Sequence, residues 1–443
     1  MAGFTPDTFI DGMAGNTPIT AAKLNNVENE LVRLAGVMLN VKDYGAVGDG
    51  STDDTTAIAA TITAAAVSGG VVYFPRGTYI STQQTLQTNV YLVGAGRDIS
   101  VLKLKNGTNA DLVVGANFAT LTGGNTTGGI YGWAVRSMTL DGNKANNTSG
   151  YGLRVYGYGF TIADVIVRNC AQDGIYTEWS SSSSGPSPDS MEAFYSNIKC
   201  HDNGANGLTF NGPHDSTFVN VINYNNTTYG FQTKANGAAG LFVNCHAWNS
   251  GSTNFYLEAE SHLLNCVGEG AGTSAATPQV FVGHNDCSIM GGSYYGSSTG
   301  QVGIQIGDGT HTLISGININ TKILNCTTSG VFFSNDNGGN NIEVVCFGVT
   351  NLWTGNIATG TSLHMRTSTN KGPQTSPTVP ASGTFLVNTF GTDATVHVVG
   401  GTVTAISVNN TATGLTSGTF RVTSGGWITL TYSVAPTWKW FTD

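Results

Sequence analysis

Glu178 and Glu192 stand on either side of the stretch WSSSSSGPSPDSM, with Tyr176 and Trp179 close by. Two carboxylates that share a site can divide general acid and general base duties, as glycoside hydrolysis requires. The following segment, NGPHDSTF, adds His214 and Asp215. Glu178 with Asp215 or Glu192 is therefore the first candidate catalytic pair, and Asp173, Asp202, Glu258 and Glu260 stand in reserve. Aromatic, amide and hydroxyl groups bind sugars by stacking and hydrogen bonding, with little need of charge. On that ground Trp179, Tyr176, Trp248 and Tyr256 are candidate substrate-binding residues, joined by His214 on the neighbouring turn and by Lys234, which holds the column position shared by Glu178, Asn211 and Glu258. Each acid taken singly also fits a turn-capping or solvated role; what singles out the group is its gathering around one insertion.

The elements that must position these residues follow from a repeat. Segments of small–apolar–x–apolar type, from GLRV at 152 and GIYT at 174 to GIQI at 303 and GVFF at 330, recur at intervals of 22, 33, 23, 24, 25, 24 and 27 residues. A second column, centred on Val165, Ile198, Val221, Cys245 and Cys266, runs beside it with spacings of 33, 23, 24 and 21. Two registered columns of short alternating strands, without 3.6-residue periodicity, predict a parallel β-solenoid. Its coils stack at about 4.8 Å, so acids on adjacent coils lie about 5 Å apart and acids two coils apart about 9–10 Å, which brackets both glycosidase geometries. The single 33-residue interval holds the serine-proline stretch. Inward positions of a solenoid cannot absorb about ten extra residues, so the excess must loop outward, where function tends to sit.

Composition excludes several classes. Net charge is −9 with only 18 Lys plus Arg among 443 residues; nucleic-acid binding, which needs dense cations, is not expected. No apolar run is long enough to span a membrane, and the N-terminus lacks the pattern of a cleaved leader. Seven cysteines without CxxC spacing predict small buried hydrophobes, and neither a metal nor a cofactor is expected. Upstream, Asp53 is expected to cap a helix whose Ile58, Ile62, Ala65 and Ala66 share a buried face, ended by Gly69-Gly70. Asp49, Asp53 and Asp54 read as turn and cap residues. Pro75 and Gly77 mark the turn between the first strands.

The segment VKDYGAVGDGSTDDTTAIAATITAAAVSGGVVYFPRGTYI resembles the opening of the pectate-lyase-like, polygalacturonase-related superfamily of right-handed parallel β-helices, which includes many bacteriophage tailspikes. The resemblance is close over about 40 residues and implies fold more than activity. The NTD, DD, GHG and RIK motifs of polygalacturonases are missing from the coils. No aspartate cluster of the pectate-lyase kind is found either, and Arg154 and Arg168 stand alone, so pectin is not the expected substrate.

Four segments are expected: a virion-anchor and helical segment over 1–40, a β-helix over 41–366, a linker over 367–383 and a small β-domain over 384–443. At the start, Leu24, Val27, Leu31, Leu34, Met38 and Val41 keep heptad spacing, which suits either a lone amphipathic helix or a short trimeric bundle. DGMAGNTPITAAKLNNVE is similar to the N-terminal segment that joins phage tail fibres to the virion. The end resembles a C-terminal module of tail fibres, whose Trp427, Trp438, Trp440 and Phe441 suit either a trimer interface or a sugar-stacking surface. Together these resemblances imply a homotrimeric phage tailspike or tail fibre, held to the tail or baseplate by its N-terminus and acting outside the host cell. Its implied partner is a host cell-surface polysaccharide, which it either hydrolyses as a depolymerase or binds without cleavage as an adhesin.

Overall fold

The computed structural model describes residues 38–121, 129–179, 191–272, 277–297, 301–367 and 372–442. Most of the expected N-terminal segment, and the serine-proline insertion over 180–190, lie outside the described residues. The chain is an all-β, right-handed parallel β-solenoid with few helices, divided into two compact units at Thr227–Thr228.

The first unit opens with the strand Met38–Asn40, paired in parallel to Gly70–Phe74 with Met38 opposite Val71, followed by a 3₁₀ turn over Val41–Tyr44. The heptad seam therefore does not continue through Met38 and Val41, because strand pairing claims the first and the turn buries the second. The helix spans Thr55–Ala66, with Asp54 rather than Asp53 at the N-cap position. The Asp54 carboxylate turns away to accept Val47 N–H at 2.7 Å and Gly48 N–H at 3.1 Å, while Asp53 accepts Thr55 N–H at 3.1 Å. Ile58, Thr61, Ile62 and Ala65 are buried; Ala66 is exposed at the last turn.

Beyond the helix, strands Leu153–Tyr158, Ile175–Glu178 and Leu208–Asn211 stack in parallel, with Leu153, Ile175 and Leu208 in one row and Val155, Thr177 and Phe210 in the next. Alternation sends these rows inward, and all six side chains are fully buried. Ring stacking continues inside: Trp133 lies 4.1 Å from Phe160, and Tyr195 4.2 Å from Phe218, both pairs nearly parallel. In the second column each buried residue follows a left-handed bend. Asp164, Asn197 and Asn220 have φ of 56°, 52° and 55°, just before Val165, Ile198 and Val221. Asn and Asp are the non-glycine residues that tolerate this conformation best. An amide ladder crosses the interior: Asn203 accepts Cys170 N–H at 3.0 Å and donates to Asn226 Oδ1 at 3.0 Å.

The second unit repeats the scheme, with Phe231, Phe255, Val280, Ile304, Val331 and Trp353 in register on successive strands and Asn244 and Asn265 as its left-handed bends. All seven cysteines of the chain are buried and free. Two four-stranded antiparallel sheets close the unit, around a core that includes Val396, Ile406, Ile428, Leu430, Trp438 and Trp440. Trp438 and Trp440 thus serve neither as a trimer surface nor as a sugar platform, because alternation along Thr437–Thr442 turns both into the sandwich. The expected linker lies along that sandwich: Trp438 Nε1–H donates to Pro377 O at 2.7 Å, and Gln374 N–H to Trp440 O at 3.1 Å.

Candidate functional site

On the outward face of the first unit's sheet, Arg154, Tyr176 and Thr209 form one row, and Tyr156, Glu178 and Asn211 the next. Residues two apart on a strand share a face, which lets the Tyr176 hydroxyl donate to Glu178 Oε2 at 2.7 Å. Burial, and then the Glu178 acceptor, push the Tyr176 phenol well above its ordinary range. Tyr176 therefore remains a proton donor at neutral pH, and Glu178 is the carboxylate it steadies through a charge-assisted bond.

Arg154 lies beside this pair, its guanidinium 4.3 Å from the Phe118 ring and 4.6 Å from the Tyr151 ring, with Asp111 at 3.6 Å. Neither arginine stands alone as expected. Arg168 reaches Asp98 and Asp141 at 3.0 Å each. The partners come from other coils, which linear proximity does not reveal. Sequence reading named Arg154 but missed its partners Asp111 and Tyr151; an available signal was that Arg154 and Tyr176 occupy equivalent places in the repeat.

An aromatic wall bounds the face. Trp179 packs with Phe118 and Tyr156 and is only 5% exposed; Tyr158 lies 4.8 Å from Trp179 and stacks on Tyr131 at 5.4 Å. Tyr131 stays exposed, so Tyr131 and Tyr158 present the wall to solvent while Trp179 supports it. Trp179 N–H donates to Asn211 O at 3.2 Å, which ties the end of the Glu178 strand to the turn carrying His214 and Asp215. There His214 Nδ1 lies 2.6 Å from Asp215 Oδ2. Ala193 N–H donates to Ser216 Oγ at 2.9 Å, tying exposed Glu192 to that turn through its neighbour. Backbone pairing thus brings Glu178, Glu192, His214 and Asp215 to the same ends of adjacent coils.

The reserve acids are placed elsewhere. Asp173 is buried, accepting from Asn206 N–H at 2.9 Å and Thr209 Oγ1–H at 2.7 Å. Asp202 sits with His201 on the other sheet, at 2.7 Å. The remaining candidates belong to the second unit. There Tyr256 is stacked between Tyr229 at 4.3 Å and Phe281 at 4.5 Å. Glu258 accepts from Gln232 at 2.7 Å and lies 3.5 Å from His311 Nε2, whose Nδ1 is 2.9 Å from Asp308. Partial burial raises Asp308, but N–H groups of His311 and Thr310 outweigh it and hold its carboxyl at about 2. Glu260 pairs with His262 at 3.3 Å. Lys234 follows the strand Phe231–Thr233 of the Tyr256 sheet, whereas Trp248, 4.6 Å from His246, lies on the other sheet. Among the described residues, no group of three or more His, Cys, Asp or Glu is placed to hold a metal ion.

Comparison with known proteins gives this architecture its relatives. Residues 38–254 match the family model described as rhamnogalacturonase A/epimerase, pectate lyase-like. Mannuronan C5-epimerase AlgE5 of Azotobacter vinelandii is 32% identical over 238 residues, covering 50% of this chain and 23% of that protein. The preneck appendage protein of Bacillus phage PZA is 30% identical over 206 residues, 42% of this chain and 22% of that protein. The chain thus spans less than a quarter of the length of either relative. Among solved structures, the tailspike gp49 of Acinetobacter baumannii bacteriophage Fri1, a capsular polysaccharide depolymerase, has a TM-score of 0.53 at 14% identity, covering 92% of this chain and 86% of that one; this is a likeness of fold. The coil stack, its left-handed bends and the matched span agree: over residues 38–254 the chain matches the pectate-lyase-like family and shares its right-handed parallel β-solenoid fold.

Proposed function

We propose that the chain is a phage tailspike or tail fibre, part of a virion-borne homotrimer anchored to the tail or baseplate by its N-terminus, that binds a host surface polysaccharide and hydrolyses it. The observation that carries this reading is the Tyr176–Glu178 pair, set beside the Tyr131–Tyr158 wall and the His214–Asp215 turn. In this reading Glu178 is the base or nucleophile. Asp215 or Glu192 supplies the acid, and Tyr131 and Tyr158 carry sugar rings on their faces. Relatives whose names point to polysaccharide chemistry and to phage appendages support it. The test is incubation with capsular or wall polysaccharide of the native host. New reducing ends, lost in Glu178→Gln, are expected; retained binding without any product marks the non-catalytic adhesin instead.

A second reading, polysaccharide elimination or epimerisation, is favoured by one feature: Arg154 is a cation beside Tyr176 and Glu178, where a uronate carboxylate could be neutralised. Relatives named mannuronan C5-epimerase and alginate lyase support it. Since the Tyr176 phenol is held protonated, the base in such a reaction would be Glu178 or His214. The ultraviolet absorbance of an unsaturated uronate end separates elimination from hydrolysis in the same incubation.

A further inference from the structure

The C-terminal part of the second unit holds a half-open cleft of about 120 Å³ between Trp353–Gly355, the last strand of its own solenoid sheet, and the terminal sandwich. Three rings frame it. Trp353 and Phe385 lie nearly parallel with centroids 6.2 Å apart, and Trp427 is tilted against both at 5.8 and 6.2 Å. Both indole N–H groups are engaged: Trp353 Nε1 donates to Gly425 O at 3.0 Å, and Trp427 Nε1 reaches Asn410 Oδ1 at 3.4 Å. Both indole rings are thereby held in place, and with Phe385 they line the cleft. Exposed Asn356 and Asn410 line it, no charged residue does among the described residues, and Phe385 is 49% exposed.

We propose that this cleft binds one neutral sugar residue of a glycan, separately from the Glu178 face. An uncharged amide-and-indole lining matches a ring that has one C–H face and several hydroxyls. The volume is below the roughly 300 Å³ at which pockets for drug-sized ligands begin, so it admits a single ring. It is also a poor seat for a second copy of this chain, since a standard protein interface takes about 800 Å² from each partner.

The test titrates the full chain with glucose, galactose and N-acetylglucosamine, with glucuronate as charged control, and reads tryptophan fluorescence and ligand-observed magnetic resonance. Saturable binding of at least one neutral sugar in the roughly millimolar range of a single-ring ligand is expected, weakened about tenfold or more in Phe385→Ala and in Asn410→Ala, with thermal unfolding unchanged. Glu178→Gln should bind as the unmodified chain does, so the outcome is independent of whether the proposed cleavage occurs. Three results would overturn the proposal: no neutral sugar binding, binding unaltered in both variants, or a change of oligomeric mass in Phe385→Ala without loss of sugar binding.

Discussion

Glu178 and Tyr176 form a unit of two residues that substitution can take apart. Glu178→Gln keeps the shape and removes the charge; activity on host polysaccharide is expected to fall by about 10² or more, as for loss of a general acid or base, with the unfolding temperature held. Tyr176→Phe deletes a charge-assisted hydrogen bond, worth about 1.5–3 kcal/mol, and should lower turnover by about ten- to a hundredfold while binding persists. A reducing-end assay with parallel thermal scans checks both. At Asp308 the folded carboxyl sits near 2, below the ordinary value of about 3.9. A depressed acid contributes stability that is present above the unfolded value and is lost as pH falls through the folded one. Unfolding temperature should therefore drop between about pH 4 and pH 2, and the drop should be smaller in Asp308→Asn. Legibility at this scale was mixed. Glu178, Tyr176, His214 and Asp215 stand out in the sequence because they flank a visible break in the repeat, and the structure sets them on adjacent coils. Arg154 was seen but judged partnerless, since its Asp111 contact depends on which strand lies beside which. Trp179 and Trp438 were taken for contact surfaces because composition does not show which way a strand turns its aromatics.

At the scale of the element, the short strand with its left-handed bend is the recurring device. Asn220 has φ of 55° and an exposed side chain whose bond from Nδ2 to Asn197 Oδ1 is long at 3.4 Å, so its main role is conformational. Asn220→Val should cost about 1–2 kcal/mol through backbone strain, whereas Asn220→Gly should be close to neutral; urea midpoints of the two variants decide. The strand columns were legible because alternation and a repeated glycine or asparagine survive in the linear sequence. The column of Asn-Cys and Asn-Val pairs was legible as buried positions but not as bends, since φ is not written in residue type. The helix start was legible to within one residue; Asp54 takes the N-cap position, but the Val47–Gly48 amides draw its carboxylate away and Asp53 accepts Thr55 N–H, partnerships that residue type does not reveal.

For the whole molecule, the solenoid was the easiest feature to read, because about two dozen residues per coil, repeated, leaves few other solutions. The proposed homotrimer makes a direct prediction: light scattering should return a mass of three chains, and removal of residues 1–37 should release single chains if the heptad segment holds them together. Division of labour along the chain was less legible, since the sandwich hides its tryptophans and shows Phe385 instead.

The seven enclosed cysteines carry one further consequence. Burial drives thiols such as Cys287, Cys326 and Cys346 up to about 12, and thiolate is the form that is oxidised and that attacks disulfides. In aerated water the folded chain would keep its sulfur reduced and escape cross-linking to other copies. Uptake of an alkylating dye, mapped along positions 170 to 346, would then record which rungs have come apart and in what order.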